Sequence, residues 1–247
     1  MNYLIITDSH YGWKKANTLD LDVTVSLADN ILLKNGEKFD KVILLGDTFD
    51  LWRRSMDILF MEQSKNFSYV LDNLDDDLIY VIGNHDFALY KMLCNQYEYC
   101  IKTYVDDKSN IVFNHGYLYD VIYEFSPLGV KDYEDFALEM CYTKETIKDV
   151  LKSLWNTYIR MKLSNHGHKR KDDELWYILN YALVYEGKNV VIGHFHRYNS
   201  AYFKSKTAVS LLPHCKGYVY MLSTSGEMPL YEINLYKRTC KITTVLH

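Results

Sequence analysis

Lys41-Val42-Ile43-Leu44-Leu45-Gly46-Asp47-Thr48-Phe49-Asp50, KVILLGDTFD, is the stretch whose reading decides the fold. Its apolar run is short, β-branched at the start and bounded by Lys41 and Gly46, which predicts a buried strand. Gly46 lets the backbone turn sharply where that strand stops. Asp47 then stands at the carboxyl end of the strand, where open α/β sheets place their ligands. One such strand end occurs in many folds, and this one gains its weight from similar ends elsewhere in the chain.

Upstream, Leu4-Ile5-Ile6-Thr7 reads as a first strand ending in Asp8-Ser9-His10. Leu21, Val25, Ala28 and Leu32 recur at helical spacing within 18–34, and Asn35-Gly36 is a good helix stop. Downstream, a helix over 55–74 leads to a strand over 78–82, which ends in Gly83-Asn84-His85-Asp86. Strand, helix, strand, helix, strand is the order of an α/β sheet. A short helix over 87–97, an edge strand over 99–105 and a strand over 110–113 follow, the last ending in Asn114-His115-Gly116. A strand over 189–192 ends in Gly193-His194-Phe195-His196. Between these two ends, residues 130–187 carry helical spacing (Phe136, Met140, then Ile147, Leu151, Leu154) and a basic break, NHGHKRK, at 165–171. This section is expected to be a helical insertion or cap inside a single domain spanning 1–247. Four further strands, over 208–212, 218–222, 230–236 and 240–245, suggest a second sheet packed on the first.

Composition narrows the function classes. The 247 residues are 48% hydrophobic and 24% charged, which makes the chain globular, and large enough for a sizeable core. A net charge of -4 disfavours a general nucleic-acid binder. The five cysteines are scattered without a CxxC pair, and the N-terminus meets a charged residue too early for a signal sequence. Reduced thiols and a cytoplasmic location are therefore expected. No apolar run approaches a membrane span, which still permits peripheral contact with a membrane surface.

Five strand ends thus carry Asp8 and His10; Asp47 and Asp50; Asn84, His85 and Asp86; His115; and His194 and His196. Each residue alone reads more simply as a cap or a hydrogen-bonded turn residue. As a set, carboxylate, imidazole and amide oxygen suit borderline divalent metals such as manganese, iron, zinc or cobalt. The missing thiolates argue against a structural zinc site. In D-x-H and H-x-H the paired side chains would share one face if the segment were extended. A carboxylate between two cations can bridge them, and two cations about 4 Å apart can clamp a phosphate.

Asp8-x-His10, Gly46-Asp47-x-x-Asp50, Gly83-Asn84-His85-Asp86, His115-Gly116 and Gly193-His194-x-His196 resemble, in order, the five blocks of calcineurin-like metallophosphoesterases. YVYMLSTSG at 218–226 also resembles the strand and turn that close that family's second sheet. The resemblance implies a four-layer α/β/β/α sandwich with two mixed sheets and a helical insertion. It implies that Asp8, His10, Asp47 and His196 hold one metal and that Asp47, Asn84, His115 and His194 hold the other. His85 would then be the catalytic histidine, and Asp50 and Asp86 would orient the ligands from behind, although Asp50 reads equally well as a helix cap. The cofactor implied is a pair of divalent ions, manganese first, with iron, zinc, cobalt or nickel as substitutes. The reaction implied is hydrolysis of a phosphoester or pyrophosphate bond by a metal-bound hydroxide.

Within the family, GDTFDLWR followed by a helical insertion looks most like the UDP-2,3-diacylglucosamine pyrophosphatases. That likeness implies a phosphorylated small molecule or a lipid-linked nucleotide as substrate. Arg53 and Arg54 are candidates for its phosphate groups, against the plainer reading of a solvated helix start. A nuclease or cyclic-nucleotide phosphodiesterase is the rival among enzymes. A non-catalytic scaffold of the same fold is the rival among binding proteins, and it usually shows a damaged ligand set.

Overall fold

In the strand Asn2–Ile6 (β1), Tyr3 and Ile5 enter one apolar cluster while Leu4 and Ile6 enter another. Lys41–Leu45 (β2) and Leu78–Val81 (β3) divide their side chains the same way. Strands buried on both faces need no polar alternation, which is why each reads as a continuous apolar run. The computed structural model describes residues 1–14, 16, 18–75, 77–117, 130–143, 147, 150–151, 154, 187–203 and 206–246.

β1, β2, β3 and Cys100–Ile101 (β4) run parallel. The helices Leu21–Leu33 (α1), Met56–Glu62 (α2), Ser64–Asn73 (α3) and Ala88–Leu93 (α4) contribute to the cluster on one face of this sheet. The other face packs on a second sheet through Ile43, Leu45, Ile79, Phe113, Val191 and Val209. That second sheet contains Thr103–Asp106 (β5), Ile111–Asn114 (β6), Asn189–Ile192 (β7), Asn199–Phe203 (β8) and Lys206–Ser210 (β9), in the order β5-β6-β7-β9-β8. Val112, Val190, Ile192 and Ala208, at the alternate positions of β6, β7 and β9, are buried too. The architecture is the expected α/β sandwich of two mixed sheets with helices.

Several details differ from the sequence reading. The C-terminal strands Tyr218–Ser223 (β10), Pro229–Asn234 (β11) and Thr239–Val245 (β12) do not build the second sheet. They extend the first, with β10 antiparallel to the open edge of β1. The single edge strand expected at 99–105 is two strands in two sheets, parted at Lys102. The long helix expected over 55–74 breaks at Gln63, whose ψ of 23° leaves the helical region. β8 carries no apolar run and was not foreseen.

Cys94 and Cys100 form a disulfide, against the expectation of reduced thiols, because a short turn brings the end of α4 back to β4 with the Cα atoms 4.7 Å apart. Cys141, Cys215 and Cys240 take no part in the disulfide. Of the expected insertion, Val130–Tyr142 is a helix (α5). The basic break at 165–171 and the rest of that section after 154 lie outside the described residues. No helix among the described residues is long and apolar enough to cross a membrane.

Candidate metal centre

The loops after β1 and β2 join beyond the end of the sheet. Asp8 N–H donates to the Gly46 carbonyl (3.1 Å), His10 N–H to Asp47 (2.9 Å) and Tyr11 N–H to Thr48 (2.8 Å). The geometry is not the extended one that would put D-x-H side chains on one face. Asp8, His10, Asp47, His194 and His196 all have positive φ, between 50° and 61°. Left-handed backbone costs a non-glycine residue roughly 1–2 kcal/mol. Its concentration here shows that the surrounding structure holds these five residues against their local preference. The turns aim all five toward one centre instead of alternating along a strand.

Three glycines make the approach close enough. A Cβ at Gly46 would enter the His115 ring, one at Gly83 would enter Asp47, and one at Gly193 would strike Thr7 and the Asp8 carboxylate. The close fit under His115 adds a second requirement for glycine at position 46, beside its φ of 80°.

The side chains gather around Asp47. His115 Nε2 lies 3.2 Å from Asp47 Oδ2, and His10 Nε2 lies 3.8 Å from the same oxygen. Asp8, His10 and His196 form one group able to hold an ion, with His196 Nε2 3.0 Å from Asp8 Oδ1 and 3.1 Å from His10 Nε2. Asp47, His115 and His194 form another. His10, Asp47 and His85 form a third that overlaps the first two. Asp8, His10, His196, Asp47, His115 and His194 thus lie in neighbouring groups around one carboxylate, and Asn84 is in none of the three.

The outer contacts orient the rings. His115 Nδ1–H donates to the Leu45 carbonyl (2.8 Å), which leaves Nε2 facing Asp47. His85 Nδ1–H donates to Asp50 Oδ1 (3.0 Å), and its Nε2 points toward Asp47 Oδ2 at 3.9 Å. His10 Nδ1 lies 3.2 Å from the other Asp50 oxygen. Asp50 is therefore a buried hub between two histidines, also paired with Arg53. No α-helix begins directly after it, since α2 starts at Met56.

Asp86 makes its hydrogen bonds to the loops rather than to the proposed ligand side chains among the described residues. It accepts from Thr48 N–H (2.7 Å), Gly83 N–H (2.8 Å) and the Tyr80 hydroxyl (2.6 Å), and so ties the loop after β3 to the loop after β2. Arg53 lies over the Trp13 ring at 4.5 Å, and Arg54 pairs with Glu62 at 2.7 Å.

The donor set fits divalent cations. Asn84 Oδ1 is buried with no hydrogen-bond partner among the described residues, an arrangement that is costly unless something else meets it. The charges agree. Burial pushes Asp8 up, but His115 and His196 outweigh it and bring the carboxyl down to about 2. Burial would lower His115, yet Asp47 and Asp8 raise it to about 10. Without cations, protons on the imidazoles answer the carboxylates, so metal binding must displace protons. Burial and the charge of Asp47 push Asp86 up to about 6. His85 is lowered, by burial first.

Sequence reasoning missed Trp52 and His214 as parts of this region. Trp52 stacks on His85, with centroids 4.4 Å apart. The buried His214 bridges Ser9 (3.1 Å) and Thr24 (3.0 Å), behind the loop that carries Asp8 and His10. Neither contact follows a sequence period, so neither was legible.

The family model described as calcineurin-like phosphoesterase matches residues 1–213. No curated protein matches the chain. Among solved structures, Vacuolar Protein Sorting 29 from Cryptosporidium parvum is 13% identical with a TM-score of 0.52, covering 100% of this chain and 97% of that one. Vps29 complexed with zinc from Entamoeba histolytica is 14% identical with a TM-score of 0.50, covering 100% and 99%. A dimetal phosphatase from Danio rerio is 14% identical with a TM-score of 0.49, covering 94% and 95%. At these identities the likeness shows the fold alone.

Proposed function

Since the chain belongs to the calcineurin-like phosphoesterase family, we propose that it hydrolyses a phosphoester or pyrophosphate bond at a dinuclear centre bridged by Asp47. The observation that carries this reading is the position of Asp47 Oδ2, 3.2 Å from His115 Nε2 and 3.8 Å from His10 Nε2, within reach of both groups. Asp8, His10 and His196 would complete one cation's shell, and Asn84, His115 and His194 the other's. Two divalent cations held there supply Lewis-acid charge for the phosphoryl oxygens and lower the pKa of water enough to make a nucleophile at neutral pH.

The chain's own residues have distinct tasks in this reading. His85 is 12% exposed, and its Nε2 faces the centre. From there it can hydrogen-bond a phosphoryl oxygen or protonate the leaving oxygen. Asp50 holds the proton on Nδ1 and thereby fixes which nitrogen works. Arg53 stands at the rim, 26% exposed and braced on Trp13, where it can meet a second phosphate of the substrate. A nucleotide-linked or lipid-linked pyrophosphate is the substrate class we favour, on the resemblance of 46–53 and the helix at 130–142.

The test is hydrolysis of an aryl phosphodiester by protein loaded with manganese, beside chelated protein. Loaded wild type should turn over. His85→Ala should keep its metals and slow by roughly 10²-fold or more. Full activity in chelated protein would sink the reading. A panel of UDP-sugar lipids, nucleotides, cyclic dinucleotides and single-stranded DNA then ranks substrates. Preference for the DNA would replace the pyrophosphate with a nuclease function.

A further inference from the structure

His85 is gripped from more sides than its bond to Asp50 requires. Trp52 lies almost parallel to its ring, at 4.4 Å and 23°. The indole is itself buried and fixed by α5. Its Nε1–H donates to the Ala137 carbonyl at 3.3 Å, and Phe136 meets it edge-on at 5.7 Å. From the same helix the Cys141 thiol reaches the His85 carbonyl at 3.6 Å, beside Leu51 N–H at 3.0 Å. The helix therefore meets His85 at its ring through Trp52 and at its backbone through Cys141.

We propose that Trp52 is a positioning residue through which the helix Val130–Tyr142 sets the ring of His85. The physical basis is the rotation left open by a single hydrogen bond. The Nδ1 bond to Asp50 fixes one point of the imidazole, and the ring can still turn about that bond. A flat indole on one face removes the turn and keeps Nε2 aimed at the centre. Offset stacking of this kind is worth enough to bias one ring orientation several-fold. The tie to Ala137 makes that orientation depend on where α5 sits, so displacement of the helix would be felt at the His85 ring. This inference rests on the phosphoesterase reading for its kinetic consequence, and not for its structural one.

Two measurements keep those consequences apart. The first is the NMR spectrum of the His85 ring in the zinc-loaded protein, which is diamagnetic. Ring current from Trp52 should shift the His85 ring protons upfield in wild type. Trp52→Ala should abolish the shift, Trp52→Phe should keep part of it, and Phe136→Ala should alter it although residue 136 does not stack on His85. Unchanged His85 resonances in Trp52→Ala, or in Phe136→Ala, would overturn the proposal whatever the protein's activity. The second is a double-mutant cycle on an aryl phosphodiester with manganese. Trp52→Ala should lower kcat about three- to tenfold with KM and metal content unchanged. In the His85→Ala background the same change should have less than about a twofold effect. Equal effects in both backgrounds would mean that Trp52 merely supports the fold. Absence of turnover in every metal-loaded form would defeat the phosphoesterase reading and leave the spectroscopic test to decide the positioning.

Discussion

The two ligand groups that share Asp47 are built differently. His115 is wholly buried, held through Nδ1 by the Leu45 carbonyl and seated on Gly46. It belongs to the junction between the sheets, where the ends of β2 and β6 meet. His196, on the other side, is 37% exposed. Its partners Asp8 and His10 sit on a loop braced from behind by Ser9 and His214. Each group holds two buried side chains and one partly exposed histidine, so the contrast lies between His115, enclosed by core packing, and His196, which water reaches; the groups are called enclosed and open after those two residues. Groups of similar chemistry should then differ in how tightly and how slowly they exchange a cation.

The largest effect should come from removing what the two groups share. Asp47→Ala should lose both cations and reduce hydrolysis to background, as read by metal content after gel filtration. Retention of one equivalent would show that the groups are more independent than their common carboxylate suggests.

Separate deletions sharpen the contrast. His115→Ala should weaken the enclosed site by more than the roughly 10–100-fold typical of a lost outer partner. It should leave one cation bound at the open site. His196→Ala should do the reverse and should also raise the metal concentration needed for activity. Equal losses in the two variants would abolish the distinction.

Gly46→Ala tests the packing beneath the enclosed group. The new methyl would enter the His115 ring at a φ of 80°. Left-handed strain and overpacking together should cost roughly 2–5 kcal/mol. A denaturant melt should show that loss, and metal titration should show the enclosed site weakened before the open one.

The smallest effect in the neutral range concerns His214, behind the open group. Burial lowers its pKa to about 4 from the ordinary 6.5. Below pH 6.5 the unfolded chain binds the proton and the folded protein does not, so this contribution to stability falls with pH and levels off below about 4. The expected loss is roughly 1 kcal/mol at pH 5.5 and about 3 kcal/mol below pH 4. His214→Gln should flatten that limb in chemical melts of chelated protein. An unchanged slope would show that His214 is not the group responsible.

The readable part of the site was the set of strand ends. A strand buried on both faces announces itself by its apolar run, and the residue after it must lie at the sheet's edge. Asp8, Asp47, Asn84, His115 and His194 could be placed by that logic before any coordinates. Asp50 could not be assigned between a cap and an orienter, because the choice depends on His10 and His85, which reach it from other loops. The tail was misplaced because strand patterning says which face is buried and not which edge a strand will join. β10 pairs with β1 because that edge is open, a fact of three-dimensional order.

By itself, then, the sequence determined the α/β class, the family's five blocks and the residues from which a dinuclear centre can be made. Local patterns carry such information because strand periodicity and donor chemistry are properties of short segments. Only the tertiary structure decided that five of those residues adopt left-handed backbone and that three glycines leave room for the ligands. It alone placed Trp52 between His85 and α5. These are contacts between segments far apart in the chain, and their geometry is set by packing that no local period encodes.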